Sequence, residues 1–162
     1  MTNMAYDFTA KDVFEMAVRI EQNGAQFYRD AADSVKDQGH KDLLLELAGM
    51  EDDHEKTFKE MESDLKKEEK QSTAFDPDDM AGQYLKALAD HRVFFEKELD
   101  FSSMRAILKD AIAAEKDSIV FYTGMKETVP GEKGKARIDK IIKEEMSHIT
   151  RLTRELKQVA KS

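Results

Sequence analysis

The chain has no cysteine among its 162 residues. That excludes disulfides, zinc–thiolate sites, iron–sulfur clusters and thiol nucleophiles together. It has only two prolines and seven glycines, too few to punctuate a protein of many short strands and turns. It has no stretch near the roughly 20 apolar residues of a membrane span. Met1-Thr2-Asn3-Met4-Ala5-Tyr6-Asp7 offers neither a basic start nor an apolar run, so no signal peptide is expected there. It also lacks a basic excess: 26 Lys and Arg stand against 34 Asp and Glu, net −8. A protein that works through phosphate contacts to nucleic acid is therefore not expected. What remains is a chain rich in Glu, Lys, Ala, Leu and Met, the composition of a helical protein. The expectation is one cytoplasmic domain over residues 1–162, with enough length for a substantial core.

Four long helical patterns follow one another. The first runs over about 10–36, opened by Thr9 with Asp12 three residues on, and carries Val13, Ala17, Ile20, Gly24, Phe27, Tyr28, Ala31 and Val35 on one stripe. Gln38-Gly39 is read as the short turn into an antiparallel neighbour over about 40–70, whose charged end over 66–70 is a solvated tail. From 71 to 102 the pattern loosens. Asp76-Pro77 is a helix start there, and a helix through Tyr84, Leu85, Leu88 and Phe95 is expected inside a crossover connection. His91 has no acidic partner at metal-ligand spacing and reads as a surface or packing residue. The third long helix spans about 103–128. Pro130-Gly131 and Gly134 mark a turn, and the fourth spans about 132–160.

Polar residues interrupt the apolar stripes at six places. In the second helix, Leu44, Leu47, Phe58, Met61 and Leu65 are in phase with Glu51 and His54. In the fourth, Ile138, Ile141, Leu152 and Val159 are in phase with Glu145 and His148. Glu21 faces the core of the first helix, and Glu115 that of the third among Leu108, Ala111, Ser118, Tyr122 and Met125. A buried carboxylate without a partner is costly, so something must meet these side chains. Asp52 and Asp53 leave the stripe and are not expected to be ligands.

The six residues repeat. Glu21 and Glu115, Glu51 and Glu145, and His54 and His148 are each separated by 94 positions. So are Ala17 and Ala111, Phe27-Tyr28 and Phe121-Tyr122, Leu44 and Ile138, and Leu47 and Ile141. Each half thus places a lone Glu 30 residues before a Glu-x-x-His. The pattern predicts two helical hairpins about an approximate two-fold axis, with all six side chains at one height. Four carboxylates converging in a core repel one another, and two divalent cations neutralise them. A Glu from each of two helices and a Glu-x-x-His from each of the others is a di-iron or di-manganese carboxylate arrangement, a known use of four-helix bundles. Two glutamates bridge, and each histidine with a remaining glutamate completes one metal position. Oxygen-rich ligation with one imidazole per ion suits iron or manganese, with zinc or cobalt as substitutes. Tyr28 and Tyr122 read either as core aromatics whose hydroxyls find a partner, the favoured reading, or as donors behind the metal ligands. Ser118 either bonds a ligand or fills a small gap.

On these residues the chain resembles the ferritin-like superfamily, and within it the rubrerythrin family, over nearly its whole length. The resemblance implies an all-α, antiparallel four-helix bundle of two hairpins joined by a long crossover containing an extra helix. It implies two iron ions held by Glu21, Glu51, His54, Glu115, Glu145 and His148, and a non-haem oxidoreductase that reduces hydrogen peroxide or dioxygen. A homodimer is expected by the same analogy. The absent cysteines mean no rubredoxin domain, so electrons are expected from a separate donor protein. Two-domain rubrerythrins carry a further ligand Glu one turn from the shared one on the third helix; here Ile112 and Ser118 flank Glu115, and the peroxidase efficiency tied to that ligand is not implied. Bacterioferritin has a similar ligand set, but Asp52 stands where its haem-binding methionine would be. The long 71–102 connection departs from a compact storage-cage subunit. Iron storage with ferroxidase activity, and a metal-stapled structural bundle without turnover, are the alternative functions.

Overall fold

The computed structural model of the chain describes residues 10–67, 80–90 and 99–160. The expected features at Thr9, residues 68–70, Asp76-Pro77, His91 and Phe95 lie outside them. Five α-helices and no strand are present among the described residues: α1 Ala10–Ser34, α2 Gln38–Lys67, α3 Met80–Asp90, α4 Met104–Thr128 and α5 Glu132–Val159. α1 packs against α2 and α4 against α5, while α3 lies on α4.

The repeat extends to the helix limits, since α4 begins and ends 94 positions after α1, and α5 begins 94 after α2. Both hairpin turns are three residues long, but their chemistry differs. The first is Val35-Lys36-Asp37, where Asp37 accepts from the backbone N–H of His40 at 2.9 Å and caps α2. Gln38-Gly39 is thus not the turn but the start of α2, because a capping carboxylate, and not the glycine, sets where this helix begins. The second turn, Val129-Pro130-Gly131, uses Gly131 at φ 83° to enter α5, a backbone region that is open mainly to glycine.

Shifting the first turn brings the site to one level. Glu21 lies 13 residues before the end of α1, and Glu51 lies 13 after the start of α2. Glu115 and Glu145 stand at the same 13-residue distances in α4 and α5, roughly 20 Å from either turn at 1.5 Å per residue.

The core divides around that level. One apolar cluster contains Phe14, Phe58, Leu85, Phe121, Met125 and Ile138. Another contains Phe27, Leu44, Leu47, Ile107, Leu108 and Leu152. α3 adds Leu85 to the first, and Gly124 allows its approach: a Cβ there would lie 2.6 Å from Tyr84 Cδ1. Tyr84 then donates its hydroxyl to the Val120 carbonyl at 2.9 Å.

Candidate metal centre

Glu21, Glu51, His54, Glu115, Glu145 and His148 are all buried, none more than 5% exposed. They come from α1, α2, α4 and α5, and they form two groups whose ligand atoms lie within 4.8 Å of one another. One group is Glu21, Glu51, His54 and Glu145; the other is Glu51, Glu115, Glu145 and His148. Glu51 and Glu145 belong to both.

The oxygens explain the sharing. Glu145 Oε1 lies 2.6 Å from His54 Nδ1, while its Oε2 lies 3.9 Å from His148 Nδ1. Glu51 Oε1 lies 3.3 Å from His148 Nδ1, and its Oε2 lies 3.9 Å from His54 Nδ1. Each of these carboxylates therefore spans the two imidazoles, whose ring centres are 5.9 Å apart.

Glu21 and Glu115 use one oxygen each elsewhere. Tyr28 of α1 donates to Glu115 Oε1 at 2.6 Å, and Tyr122 of α4 donates a short bond to Glu21 Oε1. The remaining oxygens, Glu21 Oε2 and Glu115 Oε2, are buried without a hydrogen-bond partner. Both tyrosines are also core aromatics, against Phe27 and Phe58 respectively. The two sequence readings of these residues thus describe one arrangement, in which the partner of each hydroxyl is a site glutamate. Ser118 bonds the Ala114 carbonyl of its own helix at 3.0 Å. Asp52 is exposed and paired with Arg29, and Asp53 is exposed.

Sequence reasoning missed two residues at the outer edges of the imidazoles. His54 Nε2 lies 2.7 Å from Glu144 Oε2, and His148 Nε2 lies 3.3 Å from Met50 Sδ. Each immediately precedes the glutamate of a Glu-x-x-His, and the two are themselves 94 positions apart. That spacing was the available signal. A carboxylate accepts, so His54 donates through Nε2 to Glu144, and its Nδ1 faces Glu21 and Glu145.

The electrostatics describe a site that holds protons when it lacks cations. Burial raises Glu21 to about 7. Burial, then the charges of neighbouring glutamates, push Glu51 and Glu145 well above the ordinary carboxylate range. Burial also opposes ionisation of Glu115, but its contacts with Glu145, His148 and Tyr28 outweigh it and hold this group low. His148 would be lowered by burial, yet Glu115 and Glu51 raise it to about 9. Burial keeps the Tyr28 and Tyr122 hydroxyls protonated as donors.

Six buried atoms make no hydrogen bond: Glu21 Oε2, Glu51 Oε1, His54 Nδ1, Glu115 Oε2, and both oxygens of Glu145. Each unsatisfied buried polar group costs about 1–3 kcal/mol. Together they would rival the whole net stability of a domain, about 5–15 kcal/mol. All six belong to the side chains grouped around the two histidines, and His54 Nδ1 with Glu145 Oε1 approach to 2.6 Å without the geometry of a hydrogen bond. Lone pairs converging in this way fit cations, and the cluster is able to bind metal.

The rubrerythrin family model matches residues 12–156 of the chain. The chain belongs to the rubrerythrin family. Its fold is shared by a protein from Thermotoga maritima whose crystal structure is described as that of a ferritin-like diiron-carboxylate protein. That protein is 22% identical, with a TM-score of 0.66 over 93% of this chain and 96% of the other. No curated protein sequence matches the chain. This rubrerythrin-family chain shows no helix, among the described residues, long and apolar enough to cross a membrane.

A cleft of about 350 Å³ between α2 and α5 reaches His54 and is lined by Met50, Asp53, Thr57, Lys140 and Glu144 among others. A second cleft, of about 380 Å³, lies near Phe14, Met61 and Pro130 and touches no residue of the site.

Proposed function

We propose that this rubrerythrin-family chain is a non-haem di-iron oxidoreductase that reduces hydrogen peroxide or dioxygen. The observation that carries the reading is the shared position of Glu51 and Glu145. Each offers one oxygen toward His54 and the other toward His148. On this reading Glu21 and His54 complete one metal position, and Glu115 and His148 the other. A bound pair of irons supplies two electrons, which with two protons convert one hydrogen peroxide to two waters. Manganese or zinc are the alternative occupants of the same donor set.

The protein's own groups have separate tasks. Tyr28 and Tyr122 hold Glu115 and Glu21 by one oxygen and leave the other free. Glu144 fixes the ring orientation of His54. The apolar layers on either side keep bulk water out of the bundle, and the cleft ending at His54 is a route for a small oxidant. With no cysteine in the chain, the electrons come from a separate donor protein. A homodimer is the proposed assembly, by analogy with the family.

The test uses full-length protein loaded anaerobically with ferrous iron. Saturation at two irons per chain is expected, with reoxidation by hydrogen peroxide faster than that of free ferrous ion. No acceleration over free ion would sink the enzymatic reading. Continued uptake far beyond two irons would replace it with storage.

A further inference from the structure

The arrangement of side chains about the two imidazoles follows the approximate two-fold in its main pairings, although His148 Nδ1 bonds Glu115 Oε1 at 3.2 Å where His54 Nδ1 lies 3.5 Å from Glu21 Oε2. Tyr28 and Tyr122 make matching bonds to Glu115 and Glu21, and Glu51 and Glu145 each span both histidines. The outer imidazole edges break the pattern. His54 Nε2 meets the Glu144 carboxylate at 2.7 Å, and His148 Nε2 meets the Met50 thioether at 3.3 Å. Met50 and Glu144 line the same cleft, and each reaches across from the opposite helix of the α2–α5 pair.

The two acceptors differ in kind. A carboxylate takes the Nε2 hydrogen in a charge-assisted bond, which orients the ring and makes the inward Nδ1 a stronger donor to a cation. A thioether is a weak acceptor and does little of either. Glu144 also adds negative charge close to the His54 position. Of the cations that line the cleft, Arg137 is already paired with Glu60 and Asp64, and Lys140 shares the cleft with Asp53.

We propose that Glu144 and Met50 are positioning residues that make the two metal positions unequal. The His54 position binds a divalent cation more tightly and fills first, and the His148 position fills second. This inference rests on the two-metal reading of the site. It adds an order of loading, set from the outer edges of the imidazoles, that the two-metal reading does not specify.

The test is an anaerobic titration of metal-free, full-length protein with Co²⁺, followed by visible absorption and calorimetry. The wild type should bind two Co²⁺ in two resolved steps. Glu144→Met, which gives His54 the same thioether neighbour as His148, should weaken the first step about 10–100-fold and merge it with the second. Glu144→Gln keeps an acceptor oxygen without the charge and should fall between the two. Met50→Glu should tighten the second step and leave the first in place. Thermal unfolding of the metal-free variants controls for a merely structural role, which would move the melting temperature and not the order of the steps. A wild type that binds fewer than two Co²⁺ overturns the two-metal reading itself. Two bound Co²⁺ with a first step unchanged in both Glu144 variants, or with both steps weakened equally, overturns the asymmetry alone.

Discussion

Tyr28 and Glu115 stand 87 positions apart on different hairpins, yet the tyrosine hydroxyl lies 2.6 Å from the carboxylate Oε1. The reciprocal bond from Tyr122 to Glu21 links the same two helices in the opposite direction. These crossed bonds join α1 to α4 at the level of the site. They also decide which oxygen of each glutamate remains for a cation.

Tyr28→Phe should therefore destabilise the metal-free protein by about 0.5–1.5 kcal/mol, the net worth of one buried hydrogen bond, because Glu115 Oε1 keeps its contact with His148 Nδ1 at 3.2 Å. Tyr122→Phe should cost more, about 1–3 kcal/mol, because it removes the hydroxyl donor of the buried Glu21 Oε1. Urea denaturation of the two variants beside the wild type measures both, and a change below about 0.5 kcal/mol for either would show that its hydroxyl bond carries little weight.

Glu145→Gln should act in opposite directions on stability and on metal content. Both oxygens of Glu145 are buried without partners, and neighbouring carboxylates repel its charge. The neutral amide of the same shape should raise the melting temperature of the metal-free protein at pH 8. It should also reduce bound metal below two per chain, because the side chain spans both histidines. Calorimetry and elemental analysis test the two halves separately, and a variant that still holds two metals would remove Glu145 as a shared ligand.

The pH dependence of the metal-free protein follows from the directions of the shifts. Glu21 titrates near 7 in the fold against an ordinary 4.5, so its contribution is full below about pH 4.5 and is lost as pH rises through about 7. Glu51 and Glu145 are raised and act with the same sign. His148, at about 9 against 6.5, loses its contribution as pH rises through about 9. Among the carboxylates of the site Glu115 runs the other way, since its depressed value contributes above the ordinary range and is lost in acid. Metal-free protein should thus become less stable from pH 5 to 9. Metal binding, which displaces these protons, should raise stability more at pH 8 than at pH 6. Melting curves with and without Mn²⁺ at the two pH values would show it, and a pH-independent gap would contradict it.

Asp52→Asn should leave metal stoichiometry unchanged. Asp52 lies between Glu51 and the rest of the motif in sequence, but it points outward to an exposed pairing with Arg29. Such pairs contribute about 0–1 kcal/mol, so the melting temperature should barely move. Loss of a bound metal in this variant would mean that the choice of ligands by helical phase is in error.

Much of this protein can be read without coordinates, because its information is periodic. Apolar residues at steps of three and four define the long helices, and the six polar residues in phase with them must face the interior. The 94-residue repeat supplies the pairing of hairpins, and the same spacing reappears in the limits of α1 and α4. The turn after α1 falls earlier in the fold than the residues suggest. Gly39 is the stronger signal to the eye, while Asp37, a short capping carboxylate, is the stronger one to the backbone.

Helical phase places a residue on a face, and that is as far as the amino-acid order by itself determined the site: six inward polar side chains, four helices, one level. The tertiary structure alone decided which atom meets which. Axial offset and rotation of packed helices are set by the whole core, and shifts of an ångström choose between partners. Only there does Glu145 divide its oxygens between two histidines, do Tyr28 and Tyr122 cross to each other's helix, and does His54 find Glu144 where His148 finds Met50.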